Sequence, residues 1–253
     1  RPVADCFIIS NIGAQVVAVY LTIADRVRCA IPCFPIGSTV TVCGWVRTYR
    51  ESKNMAFMEV NDGTTLKHLQ VVIDKDTTKG YEICTALGCA VKVEGTLVKA
   101  VNGEGVEINA SDVVLLGDCP SDYPLQKKRH TMEYLRTIPH LRVRTNTFNA
   151  MLRVRSKLSA AIHRYFQEHD YVYVHTPIIT GSDCEGAGEI FRVTTHDWND
   201  TAKTAAEYYE QDFFGQKAGL TVSGQLEGEV AAMAMGKIYT FGPTFRAENS
   251  NTT

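Results

Sequence analysis

Between residues 37 and 117 the chain is a succession of short alternating runs separated by turn residues, and that pattern leaves few folds open. In TVTVCGWVR (39–47), Val40, Val42 and Val46 fall at every second position, the period of a strand with one buried face. Further runs occupy 55–60, 68–74, 90–98 and 106–116, with Asn61-Asp62-Gly63 and Asn102-Gly103 as turn residues. One helix-like stretch, 81–86, interrupts them. Five short strands in roughly eighty residues suit a small closed barrel of the OB type, because closure removes exposed sheet edges. Such barrels bind single-stranded nucleic acid by stacking bases on aromatic side chains. Phe57 is a candidate for that role. It shares a strand face with Met55 and Glu59, and the acid indicates a wet face; a core aromatic is the alternative. Gln70, between Leu69 and Val71, faces away from both.

Composition narrows the class. Hydrophobic residues make up 45% and charged residues 21% of the 253, as in a globular protein. The net charge of −2 excludes a generally basic protein, so binding to nucleic acid needs a local basic patch. The eight cysteines form no CxxC pair; Cys29 and Cys33 are four apart with no second pair to complete a zinc site. They read as reduced core thiols of an intracellular protein. Opening on Arg1, the chain reads as a fragment or processed product. Residues 6–24 are uncharged but diluted by Ser10, Asn11, Gly13, Gln15 and Thr22. They read as a buried strand or irregular extension rather than a membrane helix or signal peptide.

Residues 118–145 form a connector carrying Pro120, Pro124 and Pro139, then Lys127-Lys128-Arg129 and Arg136, Arg142 and Arg144. It is the one concentrated stretch of positive charge, and either a solvated hinge or a place for nucleic-acid backbone contacts. Residues 146–169 carry the clearest helical periodicity, with Thr145 or Asn146 able to cap it. A strand at 171–174 and the stretch Thr176-Pro177-Ile178-Ile179 follow. ITGSDCEGAGEIF (179–191) is a glycine-bearing loop that matches neither a dinucleotide fingerprint nor a P-loop. After a polar stretch at 195–211, residues 230–235 read as a helix and 237–241 as a strand broken by Gly242-Pro243. In an extended run, Thr244, Arg246 and Glu248 share one face and Phe245 the other. A guanidinium fork suits a phosphate or carboxylate and a carboxylate accepts from an amino group, so the pair can hold a nucleotide at both ends. A surface ion pair worth little is the alternative.

FGPTFRAENSNT (241–252) resembles the second signature motif of class II aminoacyl-tRNA synthetases, within them the aspartyl/asparaginyl subgroup and its asparaginyl members above all. GWVRTYRESKNMAFMEVNDGT (44–64) resembles that subgroup's anticodon-binding barrel, and QKKRHTMEYLRTIPHLRVRTN (126–146) its connector. The helix–strand–proline order ending at Pro177 resembles the first signature motif, which forms the family's dimer interface. The resemblance implies that Arg246 binds the α-phosphate of ATP and the amino-acid carboxylate as the catalytic residue, and that Glu248 binds the adenine amino group. It places Glu185, Ser223, Gln225 and Glu229 with Arg246 around the amino acid. It also makes Phe57 and Gln70 readers of the anticodon and gives tRNA-backbone contacts to Lys127, Lys128 and Arg129. In the aspartyl members a lysine stands where this chain has Gly228. Losing that cation, with Glu229 beside it, favours the carboxamide of asparagine over the carboxylate of aspartate.

The expected fold is α+β: an unassigned extension (1–35), an OB-fold barrel (36–117), a basic hinge (118–145) and a truncated class II catalytic domain (146–253), an antiparallel sheet flanked by helices. The implied activity is asparagine–tRNA ligation, with ATP and Mg2+, tRNA(Asn), asparagine and a homodimeric partner, in the cytoplasm and away from membranes. An aspartyl enzyme of relaxed specificity and a non-catalytic tRNA-binding fragment are the alternatives. The family's third motif is expected beyond Thr253, so the chain alone is expected to be inactive, with 244–248 an unpaired edge.

Overall fold

The computed structural model describes residues 35–101, 105–183, 190–197 and 204–248. The chain divides into two compact units, residues 1–153 and 154–253. The first is built on five strands: β1 (Thr39–Glu51), β2 (Met55–Asn61), β3 (Leu69–Asp74), β4 (Ala90–Lys99) and β5 (Val106–Gly117). They close into a barrel in the order β1-β2-β3-β5-β4, with β3 and β5 parallel and the other pairs antiparallel. A short 3₁₀ turn, Tyr81–Ile83, lies between β3 and β4, within the stretch read as helix-like. The Asn102-Gly103 turn lies outside the described residues.

Alternation sets which side chains fill the barrel. Val40, Val42 and Val46 of β1, Ala56, Met58 and Val60 of β2, and Leu69, Val71 and Ile73 of β3 all point inward and are buried. Fully burying side chains the size of Met58, Leu69, Ile73 or Ile108 contributes about 1.5–3 kcal/mol each. β1 runs four residues past the 39–47 expected of it, because the register slips between Val46 and Thr48. Arg47 is the extra residue of that bulge. Parity then reverses, as a one-residue slip requires: Tyr49 packs against the core, and Thr48 turns outward to donate to Glu59 Oε2 at 2.9 Å. A second slip, between Glu94 and Gly95, fixes the glycine at 95. A Cβ there would stand 2.2 Å from the Asn109 carbonyl oxygen, so β4 and β5 approach too closely for any side chain.

The connector folds into two short helices, α1 (Met132–Thr137) and α2 (Pro139–Arg142). Thr131 caps α1 by accepting from the Tyr134 N–H at 3.2 Å. Thr145 does the same for the long helix α3 (Asn146–Glu168), accepting from Phe148 N–H at 3.5 Å.

In the second unit, α3 supplies His163 and Phe166. These meet β6 (Val172–Tyr173) and β10 (Ile238–Tyr239), which pair in parallel. His163 Nδ1 lies 2.8 Å from Tyr239 Oη, and Phe166 stacks on Tyr239 with ring centroids 4.6 Å apart. Such aromatic pairs add about 0.5–1.5 kcal/mol beyond their burial. A second sheet, antiparallel, orders β7 (Ile179–Thr180), β9 (Ala218–Leu220) and β8 (Arg192–Val193). Between β8 and β9, the polar stretch includes the short helix α4 (Ala205–Glu210). Just past it, the Asp212 carboxylate accepts from the Thr195 N–H at 2.9 Å and the Phe213 N–H at 2.7 Å. Those hydrogen bonds, from the Thr195 backbone and the Thr194 hydroxyl first, hold its carboxyl well below the usual range. The last helix, α5 (Gln225–Met235), begins five residues before the 230–235 read from sequence. Val230 and Met233 stand 73% and 91% exposed, so α5 packs on β10 through Gly228 rather than through its larger apolar residues.

Candidate functional site

The outward residues of β1, β2, β3 and β5 align in two rows across the barrel. One runs Thr48, Glu59, Gln70, Glu107; the other runs Arg50, Phe57, Val72, Asn109. Phe57 is half-buried on the outer face between Arg50 and Val72, while its neighbours Ala56 and Met58 fill the core. An aromatic ring presented beside a guanidinium offers the kind of surface on which a base can stack. Gln70 stands in the neighbouring row, and its Nε2 donates to Glu107 Oε2 at 3.0 Å. Glu107 is only 4% exposed. It fixes which way the Gln70 amide points, leaving the carbonyl oxygen free of that bond. Sequence reasoning missed Glu107. Its position in a run of apolar residues, VEI at 106–108, was the available signal, because a buried acid needs a partner. Lys127, Lys128 and Arg129 are all exposed on the connector.

In the second unit, Ser223, Gln225 and Glu229 converge at the start of α5. The Thr221 hydroxyl donates to the Ser223 carbonyl at 2.6 Å, and Ser223 Oγ accepts from the Gln225 N–H at 3.1 Å. Gln225 Nε2 then donates to Glu229 Oε1 at 2.9 Å, one helical turn on. Gly228 is buried between them. A Cβ at 228 would lie 3.7 Å from Ile238 and Thr240, so a long cationic side chain there would run along β10 to reach water. Residues 244–248 form no ladder among the described residues. Their exposure alternates nonetheless: Phe245 and Ala247 are half-buried, and Thr244, Arg246 and Glu248 are exposed. The Phe245 N–H donates to the Thr221 carbonyl at 2.9 Å, which ties this segment to the loop leading into Ser223. Arg246 Nη1 lies 3.9 Å from Glu248 Oε1, so the two groups stand on one side as their spacing required. Pro177 is exposed between β6 and β7 beside the exposed Ile178 and Ile179. Glu185 lies outside the described residues. No three carboxylate, imidazole or thiol groups converge on a metal position among the described residues, and no described helix is long and apolar enough to cross a membrane.

A family model for an OB-fold nucleic acid binding domain matches residues 40–116, and one for class II tRNA synthetases (D, K and N) matches residues 131–253. The asparagine–tRNA ligase of Treponema denticola is 53% identical over 235 residues, covering 86% of this chain and 50% of the relative. That of Geobacter sulfurreducens is 55% identical over 230 residues, covering 90% and 50%. The chain therefore spans about half the length of the curated relatives it matches. Among solved structures, asparaginyl-tRNA synthetase of Pyrococcus horikoshii complexed with asparaginyl-adenylate aligns with a TM-score of 0.71 at 24% identity, covering 85% of this chain and 46% of that one. The Entamoeba histolytica asparaginyl-tRNA synthetase aligns at 0.67 and 20%, covering 92% and 50%. An anticodon-binding type of barrel followed by the first part of a class II catalytic fold, with both matched in sequence, places the chain in the class II tRNA synthetase family of the D, K and N group.

Proposed function

We propose that this chain carries the anticodon-binding barrel and the first part of the catalytic domain of an asparagine–tRNA ligase. The observation that carries the reading is 53–55% identity to asparagine–tRNA ligases across 86–90% of the chain. The chemistry of the residues agrees. A carboxylate oxygen of asparagine attacks the α-phosphorus of ATP, forming an O–P bond while the bond from the α-phosphorus to the bridging oxygen breaks and pyrophosphate leaves with that oxygen. Arg246 offers a fork of donors to both the α-phosphate and the attacking carboxylate, holding them in line and offsetting the charge that accumulates there. Glu248, on the same side, accepts from the adenine amino group. A terminal adenosine hydroxyl of tRNA(Asn) then attacks the acyl carbon and AMP departs. No side-chain nucleophile is needed. Mg2+ bound with ATP would offset the charge of the phosphates.

Glu229 supports asparagine as the substrate. It already accepts from a carboxamide N–H, that of Gln225, the same group that an asparagine side chain presents. A second carboxylate at that position would be repelled. Glu185, Ser223 and Gln225 complete the amino-acid pocket in this reading. Phe57 and Gln70 read the anticodon, Lys127, Lys128 and Arg129 hold the tRNA backbone, and the surface around Pro177 joins two copies. A cytoplasmic location goes with this role. The test is ATP–pyrophosphate exchange by the enzyme carrying this region. Exchange should depend on asparagine, and equal exchange with aspartate would refute the specificity argued from Gly228 and Glu229.

A further inference from the structure

The first unit contains a cavity of about 1260 Å³ between the bulge of β1 and the connector. Its lining holds five arginines and lysines, Arg47, Lys127, Lys128, Arg129 and Arg144, and two histidines, but no aspartate or glutamate. In a chain with 28 acidic residues and a net charge of −2, a wall so free of acid is a strong local asymmetry. Two of the arginines are tied together. Arg47 Nη2 donates to the Arg144 carbonyl at 3.0 Å, and Arg144 Nη1 donates to Tyr123 Oη at 3.1 Å, its guanidinium 5.9 Å from the Tyr123 ring. Neither meets a carboxylate among the described residues. Arg47 is half-buried, and burial first, then the nearby Arg144 charge, press against its protonated form. His68 lines the same cavity with its Nδ1 buried and unpartnered among the described residues. Burial and the Arg47 charge outweigh the opposite pull of Glu59 and hold it below the usual imidazole range. Arg47, half-buried, and Arg144, exposed at the cavity wall, present two donor forks without a carboxylate partner among the described residues, an arrangement that suits an anion both can grip.

We propose that Arg47 and Arg144 form a phosphate clamp for the backbone of the RNA whose anticodon crosses the barrel face. This rests on the tRNA reading above and adds a site to it. Three observations favour a polynucleotide over a free ion. The cavity is far larger than a phosphate ion. It opens onto the exposed Lys127-Lys128-Arg129 run. It also shares Thr48 with the row that carries Glu59 and Gln70, so a strand leaving that row reaches the clamp directly. The bulge explains why the arginine stands here. It breaks the alternation of β1 at Arg47, at the cavity wall.

The test measures binding of fluorescein-labelled tRNA(Asn) transcript, and of the same transcript with a substituted anticodon, to the 253-residue chain over a series of NaCl concentrations. Arg47→Gln and Arg144→Gln are each expected to weaken both transcripts about tenfold and to lower the slope of log K against log [NaCl] by about one. Unchanged affinity and slope in folded variants would overturn the clamp. If neither variant folds, p-hydroxyphenylglyoxal modification of the unaltered chain decides. Arg144 should be protected by the transcript, and an unprotected Arg144 overturns the proposal. Protection by inorganic phosphate equal to that by RNA, at matched ionic strength, would make the site one for free anions and overturn it too. If the substituted anticodon leaves wild-type binding unchanged while Arg47→Gln still weakens it, the clamp stands and the tRNA(Asn) reading falls.

Discussion

Arg246→Ala should lower asparagine-dependent ATP–pyrophosphate exchange by at least about a hundredfold, with little change in tRNA affinity. Removing one donor that stabilises developing charge in a water-poor site typically costs about 10²–10³ in rate, and Arg246 is assigned to two reacting groups at once. The fork matters as much as the charge, so Arg246→Lys should recover only a small part. Glu248→Gln should behave differently. It would raise the KM for ATP more than it lowers kcat, because adenine is held equally in ground and transition states. Steady-state exchange kinetics on the three variants separates these outcomes. An Arg246→Ala enzyme with near-normal exchange would return the Arg246–Glu248 pair, 3.9 Å apart and exposed, to the status of a surface ion pair.

The second large effect is expected on the barrel. Phe57→Ala should weaken binding of tRNA(Asn) by about 1–3 kcal/mol, the worth of one base stacked on an aromatic. Because Phe57 sits on the outer face between Arg50 and Val72 rather than among Ala56, Met58 and Val60, the substitution should leave the thermal midpoint nearly unchanged. The loss should be confined to RNA that presents an unpaired base to stack, unlike the uniform loss expected at Arg47. A drop in stability with unaltered affinity would make Phe57 a packing residue. Gln70→Ala should lose less, and Glu107→Gln should mimic it, since Glu107 acts by fixing the Gln70 amide.

Much of this was legible in the residues. The alternation of Val40, Val42 and Val46 and the turn residues after β2 define a barrel because strand period and closure admit few other arrangements. What could not be read is instructive. The run Arg47-Thr48-Tyr49-Arg50-Glu51 looks like the polar end of a strand, yet a bulge carries β1 through it and turns Tyr49 inward. A bulge leaves no periodic signal of its own; it shows only in the pairing register. The start of α5 was hidden for another reason. Gly228 lowers helix propensity, but it is the point at which the helix meets Ile238 and Thr240. Tertiary packing there overrides local preference. That Arg246 and Glu248 share a side was visible from their alternation, whereas their neighbourhood with Ser223 depends on one long-range bond, from Phe245 to Thr221.

The most direct measurement is charging of tRNA with radiolabelled asparagine by the enzyme carrying this region, with aspartate and a tRNA of substituted anticodon as controls. Acid-stable, base-labile asparaginyl-tRNA should accumulate with ATP and tRNA(Asn), and fall sharply with either control. Aspartate charged as well as asparagine, or tRNA bound without being charged by the intact enzyme, would contradict the assignment.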